Sequence, residues 1–302
     1  MHQHLVSIDQ LERNDFNTLI TLAKKAKTGQ LNNTLKGKII ASCFFEASTR
    51  TRLSFESAIY RLGANVIGFA NSNSTSLAQK GESLTDTIYM LNAYADAIVI
   101  RHPDANSAKA AASVSSIPVI NAGDGDNEHP TQTLLDLYTI TEKFTQIDGL
   151  NIAMVGDLKY GRTVHSLARA LMHYKNITLY LIAPMGLQLP ESIVALLQQN
   201  NVKVHYTESI KEVLPYIDVL YMTRLQKERF QEHEVHECHY LLTCDLLKQY
   251  AKQNLAVMHP LPRLTEICPS VDNTHYAWYF KQANNGVFMR QALLYQMLGQ
   301  SL

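Results

Sequence analysis

The sequence predicts an α/β protein of two domains, each a parallel β-sheet flanked by helices. Short runs rich in Ile and Val alternate, along the whole chain, with stretches whose apolar residues recur at helical spacing. Such alternation implies parallel sheets covered by helices, with ligand sites at the carboxyl ends of the strands. The 302 residues exceed the comfortable size of one hydrophobic core, so two are expected. With 46% hydrophobic and 18% charged residues, the chain has ample apolar surface to bury and does not have a disordered composition.

In chain order, residues 38–45, 65–70, 96–100 and 118–120 read as the strands of the first half. Phe55, Ala58, Ile59 and Leu62 repeat at i, i+3, i+4 and i+7, which is one face of a helix. Pro130 fits the first position of a helix running to Phe144, with Leu134, Leu137 and Tyr138 as its buried side, and the turn Asp148-Gly149 follows. In the second half, 151–155, 177–182, 202–205, 218–222 and 255–258 read as strands, and Val164, Leu167, Ala168, Leu171 and Met172 form a helical stripe. Residues 286–298 read as a closing helix. No internal repeat or low-complexity segment stands out.

Composition excludes several classes. Lys plus Arg and Asp plus Glu each number 27, so no basic excess points to a nucleic acid. The cluster Lys24-Lys25-Ala26-Lys27 reads as a solvated helix face. No apolar run approaches the ~20 residues that span a bilayer, and residues 1–13 lack a signal-peptide apolar region. The four cysteines, Cys43, Cys238, Cys244 and Cys268, show no CxxC spacing, which suits a reduced, cytoplasmic setting.

The sharpest local signal is Phe45-Glu46-Ala47-Ser48-Thr49-Arg50-Thr51-Arg52. A strand ends, hydroxyl residues occupy the turn and a helix begins, so free backbone N–H groups and a positive dipole end form an anion site. Arg50 adds a planar fork suited to phosphate. An ordinary Ser/Thr cap with exposed arginines fits the same residues. Arg101-His102-Pro103 follows a strand, and His129-Pro130-Thr131-Gln132 starts a helix. A lone His is usually structural or exposed, but such junctions face one crevice in α/β sheets, which raises the functional weight of both.

Residues 156–163 carry the GxxxxG frame of a P-loop, but Arg162 stands where that motif needs lysine, and no GxGxxG is present. A nucleotide or dinucleotide cofactor is therefore disfavoured. His233-Glu234-Val235-His236-Glu237-Cys238-His239, followed by Cys244, superficially suggests zinc, yet the spacing fits no four-ligand pattern and reads as a solvated loop. Glu266 forms no recognisable acid–base pair. In His259-Pro260-Leu261-Pro262-Arg263 two prolines rigidify the backbone and expose carbonyl oxygens, and a cis Leu261–Pro262 bond is plausible.

In this order and spacing the clusters resemble the aspartate carbamoyltransferases, specifically the catalytic chain of the bacterial type, from about residue 5 to 298. Ser48-Thr49-Arg50-Thr51-Arg52 is similar to the carbamoyl-phosphate signature of carbamoyltransferases. The resemblance implies a carbamoyl-phosphate domain of residues 1–130 plus 284–302 and an aspartate domain of 131–283, with the active site in the cleft between them. It implies transfer of the carbamoyl group of carbamoyl phosphate to L-aspartate, the committed step of de novo pyrimidine biosynthesis, without metal or cofactor. Ser48, Thr49, Arg50 and Thr51 would hold the phosphate. Arg101, His129 and Thr51 would meet the carbonyl oxygen as it gains charge. Gln132 and the carbonyls of Pro260 and Leu261 would orient the amide. Arg162, Arg224 and Gln226 would bind aspartate, with Lys80 and Leu261 contributing there.

The resemblance also implies assembly. Ser76 and Lys80 match residues that cross into a neighbouring subunit's site in a homotrimer, and regulatory chains are possible partners in a larger holoenzyme. Glu46, Arg162 and Arg229 match residues that link the domains on closure. Gln79, where relatives often carry lysine, and Val235, where a tyrosine is expected, depart from the pattern and put an inherited quaternary switch in doubt. Ornithine carbamoyltransferases show Cys in place of Pro260 and a Ser-Met-Gly segment near the acceptor, and neither occurs here. The alternatives are a carbamoyltransferase with another amino acceptor and a catalytically silent regulatory homologue.

Overall fold

The structure, a computed structural model, describes residues 3–71, 75, 80–226 and 240–299. Two compact units result: Met1–Tyr138 with Asn284–Leu302, and Thr139–Ala283. The chain passes from one to the other within two helices, Pro130–Phe144 and Tyr279–Leu298.

In the first unit β1 (Ile39–Phe44), β2 (Asn65–Phe69), β3 (Ala97–His102) and β4 (Val119–Asp124) form a wholly parallel sheet in the order β2-β1-β3-β4. Period-2 alternation turns Ala41, Cys43 and the following Phe45 to one side, together with Ile98 and Ile100. That side is covered by Ile88 and Leu91 of helix Leu84–Tyr94 and by Ala108 and Ala111 of helix Ser107–Val114. Helix Thr49–Arg61 buries Phe55, Ala58 and Ile59, three of the four residues whose spacing predicts it. Edge strand β4 is nonetheless buried, because Leu5 bridges Ile120 in parallel with bonds of 2.9 and 2.8 Å. The other edge, β2, stays open, with Ile67 38% exposed.

In the second unit β5 (Asn151–Val155), β6 (Thr178–Ile182), β7 (Lys203–Thr207), β8 (Val219–Met222) and β9 (Ala256–Met258) form a parallel sheet in the order β7-β6-β5-β8-β9. Ala153, Val155, Leu220, Met222 and Val257 share a core with Ile210, Val213, Leu247 and Tyr279. Among the described residues no helix is long and apolar enough to cross a membrane.

Several boundaries differ from the sequence expectation. β3 runs on to His102 and β4 to Asp124, past the last β-branched residues, because pairing between the two strands continues across a register shift after Ile100. The closing helix begins at Tyr279 rather than at 286. Gly286, read as a boundary, lies inside it, since a Cβ there would meet Arg290 Nη1 at 2.2 Å. Lys24, Lys25 and Lys27 are exposed in the last turn of helix Arg13–Lys27, where they also complement the helix dipole.

Candidate active site

Each sheet has one point where the strand order reverses, and there the connections leave in opposite directions and open a crevice at the carboxyl ends. In the first unit this point lies between β1 and β3. It brings together two of the sequence clusters. Phe44 pairs in register with Arg101, and Phe45 N–H donates to Arg101 O at 2.8 Å. Arg101 Nη2 lies 2.8 Å from Glu46 Oε2, with both side chains mostly buried. His102, beside it, packs on the Phe45 ring, and its Nδ1 accepts from Asp104 N–H at 3.1 Å. Burial pushes the His102 imidazole below its ordinary value, and the N–H that its Nδ1 accepts fits a neutral ring.

Ser48 takes extended backbone (φ −156°) at the head of helix Thr49–Arg61, yet its side chain caps nothing. The first turn contains no acidic residue either. By contrast, Ser83 and Thr243 cap their helices at 3.0 and 3.2 Å, and each of those helices has an acidic residue in its first turn. Ser48 thus makes no side-chain cap, a feature shared with the helices that start at Ser107 and Arg162. Thr51 is buried and Arg50 exposed, while Arg52 pairs with Glu56 at 3.1 Å on the helix surface.

His129 is 5% exposed at the start of helix Pro130–Phe144, and its Nδ1 lies 3.4 Å from Thr131 Oγ1. The preceding Glu128 fixes this corner by accepting from Ser7 Oγ and Ile8 N–H at 2.7 and 2.8 Å. Gln132 donates its Nε2 to buried Asp136 at 2.9 Å, which turns the amide oxygen away from the carboxylate. Arg290, in the field of Asp136 and 4.9 Å from the Phe55 ring centre, is fully buried, and desolvation lowers it to about 10.

In the second unit the order reverses between β5 and β8. Gly156 follows β5 with φ +113°, and a Cβ there would lie 2.4 Å from Thr223 O, so only glycine permits this approach. Asp157 is wholly buried and accepts from Tyr160 N–H at 2.9 Å and Gln226 N–H at 3.1 Å, tying the two strand ends together. Burial raises its pKa despite those donors. Arg162 is the first residue of helix Arg162–Leu171 and is 6% exposed. Arg224 is half-buried and donates Nη1 to Leu225 O at 2.9 Å. After β9, Pro260 and Leu261 lie in a turn with a cis Leu261–Pro262 bond. Glu266, unremarkable in sequence, pairs with buried His259 at 2.7 Å.

Two family models match this chain. Residues 3–142 match the aspartate/ornithine carbamoyltransferase carbamoyl-P binding domain and 148–297 the Asp/Orn binding domain. The chain belongs to the aspartate/ornithine carbamoyltransferase family. Among solved structures, it is 43% identical to the catalytic subunit of M. jannaschii aspartate transcarbamoylase, with a TM-score of 0.91 and 99% of each chain covered. It is 40% identical to a Trypanosoma cruzi aspartate transcarbamoylase in complex with carbamoyl phosphate and aspartate, with a TM-score of 0.91, covering 98% of this chain and 97% of that one. A complex of the T. cruzi enzyme with N-(phosphonacetyl)-L-aspartic acid is 41% identical, with a TM-score of 0.89 and coverage of 98% and 95%.

Of the carbamoyltransferase residues expected from sequence, the first unit contains Glu46, Ser48, Thr49, Arg50, Thr51, Lys80, Arg101, His129 and Gln132, and the second contains Arg162, Arg224, Gln226, Pro260 and Leu261. Lys80 is exposed. Ser76, Gln79, Arg229 and the 233–239 stretch lie outside the described residues. Asp157, Asp136, Glu128 and the His259–Glu266 pair are further polar residues that sequence reasoning missed. Asp157 and Glu128 take donors about 70 and 120 positions away, which no local pattern announces.

Proposed function

We propose that this chain transfers the carbamoyl group of carbamoyl phosphate to the amino group of L-aspartate, giving N-carbamoyl-L-aspartate and phosphate, the committed step of de novo pyrimidine biosynthesis. The observation that carries this reading is the uncapped, acid-free helix start at Ser48–Thr51, one strand away from Arg101. It matches a doubly charged phosphate on a small carbonyl group.

In the proposed roles, Ser48, Thr49, Arg50 and Thr51 hold the phosphate, with Ser76 and Lys80 supplied by a neighbouring chain. The aspartate amine attacks the carbonyl carbon, and the π electrons move onto the carbonyl oxygen. Arg101, His129 and Thr51 stabilise the charge there. When the intermediate collapses, the C–O bond to phosphate breaks and the departing phosphate takes the amine proton. Gln132 and the Pro260 and Leu261 carbonyls orient the carbamoyl NH2. Arg162 and Arg224, with Gln226 and Leu261, answer the two carboxylates of aspartate. Glu46, Arg162 and Arg229 serve domain closure. These steps need positioning and charge, with no cofactor and no covalent enzyme intermediate.

The proposed division, 1–130 plus 284–302 for carbamoyl phosphate and 131–283 for aspartate, is one of emphasis, since Gln132, Pro260 and Leu261 also serve the carbamoyl group and the first compact unit runs to Tyr138. A cytoplasmic homotrimer, able to take regulatory chains in a holoenzyme, is part of the same proposal. Large apolar side chains left exposed on the first unit, Leu53, Tyr60, Ile67, Tyr89 and Met90, support association there. The deciding assay is turnover with aspartate, ornithine and N-acetylornithine as acceptors. Aspartate should be used alone; preference for another amine redirects the second half-site, and no turnover with any favours the silent regulator.

A further inference from the structure

β9 ends at Met258, and the chain turns at once through His259-Pro260-Leu261-Pro262. His259 is 2% exposed, and three of its polar groups are used. Its backbone N–H donates to Gln282 Oε1 at 2.8 Å. Its Nδ1 accepts from Leu261 N–H at 2.8 Å, and its Nε2 lies 2.7 Å from Glu266 Oε1. An Nδ1 that faces an N–H carries no proton. The ring proton therefore sits on Nε2 and is donated to the carboxylate, which assigns a neutral ring and one tautomer. Glu266 is itself fixed: its oxygens accept from Leu264 N–H at 3.2 and 3.1 Å, and its backbone carbonyl accepts from Leu242 N–H at 2.9 Å. The titration directions agree with this geometry, since burial lowers His259 and the hydrogen bond from His259 helps hold Glu266 low against desolvation.

The imidazole grips a backbone that would not keep this shape by itself. Leu261 has φ +59°, a left-handed conformation that a leucine adopts only when its surroundings hold it. The Leu261 N–H and the Pro260 C=O belong to one planar trans peptide, so fixing the first aims the second in the opposite direction.

We propose that His259 and Glu266 are positioning residues: the imidazole, held by Glu266, aims the Pro260 carbonyl at the NH2 group of carbamoyl phosphate and so selects a carbamoyl over an acyl phosphate. The inference rests on the reading that this carbonyl receives the carbamoyl amide. Acetyl phosphate separates the two ideas, because it places a methyl group where carbamoyl phosphate has its amide.

The test measures, on the full-length protein, dissociation constants for carbamoyl phosphate, acetyl phosphate and inorganic phosphate. The unaltered protein should prefer carbamoyl over acetyl phosphate by about tenfold or more, the scale of one satisfied hydrogen bond. Glu266→Ala and His259→Gln, which lose the carboxylate and the Nδ1 acceptor respectively, should bring that ratio close to one while inorganic phosphate binds as before. His259→Asn, whose side-chain oxygen can take the place of Nδ1, and Glu266→Gln, which still accepts from Nε2, should keep most of it. No preference in the unaltered protein overturns the carbonyl reading itself. A preference that survives in both His259→Gln and Glu266→Ala overturns the positioning role alone. So does an equal loss of inorganic phosphate binding in these variants, because it marks a general structural defect. If Glu266→Ala does not fold, His259→Gln against His259→Asn decides.

Discussion

The carboxyl ends of the two sheets share an uncapped, acid-free helix start and buried acceptors tied to backbone, and they differ in the side chains placed there. In the first unit the helix start at Thr49 has neither a side-chain cap nor an acidic residue, and Arg101 pairs with the carboxylate of Glu46. In the second unit buried acceptors are tied to the protein's own backbone: Asp157 to Tyr160 and Gln226, and His259 with Glu266 to Leu261 and Leu264. A dianionic phosphate needs donors left over from folding, which a bare helix start supplies. Holding side-chain forks and carbonyls at fixed angles needs a rigid backbone, which buried acceptors supply. In the proposed function the first end binds the phosphate charge and the second fixes the direction of the carbonyls.

The largest expected effect tests the charge-binding end. Arg50→Ala should lower kcat/KM by roughly 2–4 kcal/mol of transition-state stabilisation, about thirtyfold to a thousandfold, with an unchanged melting temperature because Arg50 is exposed. Near-normal kcat/KM would place the phosphate elsewhere. Mixed and reassembled with Lys80→Ala chains, the dead Arg50→Ala chains should regain about one-third of native activity per mixed trimer if sites are shared in a cycle. Mixed trimers confirmed by mass but still inactive would place Lys80 within its own chain's chemistry or outside it.

Next in size is the acceptor side. Arg224→Ala should raise the KM for aspartate by roughly ten- to a hundredfold, as for a lost charged hydrogen bond, and leave phosphate affinity intact. A fall in phosphate affinity of similar size would erase the division of labour between the two ends.

A smaller effect compares two serines at helix starts. Ser83→Ala should cost about 1 kcal/mol of stability, since its hydroxyl accepts from Asp86 N–H. Ser48→Ala should leave stability nearly unchanged and weaken phosphate binding instead. Equal stability losses in urea titrations would show that Ser48 is an ordinary cap after all.

The smallest effect lies in pH. His259 titrates below 6.5 in the fold, so between its folded value and 6.5 the unfolded chain binds more protons. Its contribution to stability is full above 6.5 and declines as pH falls through that window. Melting temperatures from pH 7 down to pH 5 should therefore fall less steeply in His259→Asn than in the unaltered protein. Parallel slopes would mean that the ring is not held neutral.

Much of this was legible along the chain. The strand at 151–155 and the helix at Pro130–Phe144 have the observed limits, because β-branched runs and an N-terminal proline are local signals. The end of β4 was not legible, since Asn121-Ala122-Gly123-Asp124 has no strand character until β3 and Leu5 pair beside it. The site divides in the same way. Ser48 to Arg52, Arg101, His129 and Arg162 were visible as unusual residues at strand-to-helix junctions. Which serine caps its helix, which carboxylate meets Arg101 and what Glu266 does were not visible.

The sequence by itself determined the alternation of strands and helices, the residues proposed to bear the chemistry and the family to which the chain belongs, because periodicity and motif spacing are properties of neighbours along the chain. Only the tertiary structure decided the strand orders, and with them which motifs stand at a reversal point. It alone decided the partners of Asp157 and Glu266 and the aim of the Pro260 carbonyl. Those depend on hydrogen bonds between residues up to about 70 positions apart, and buried groups find such partners only after the sheets have formed.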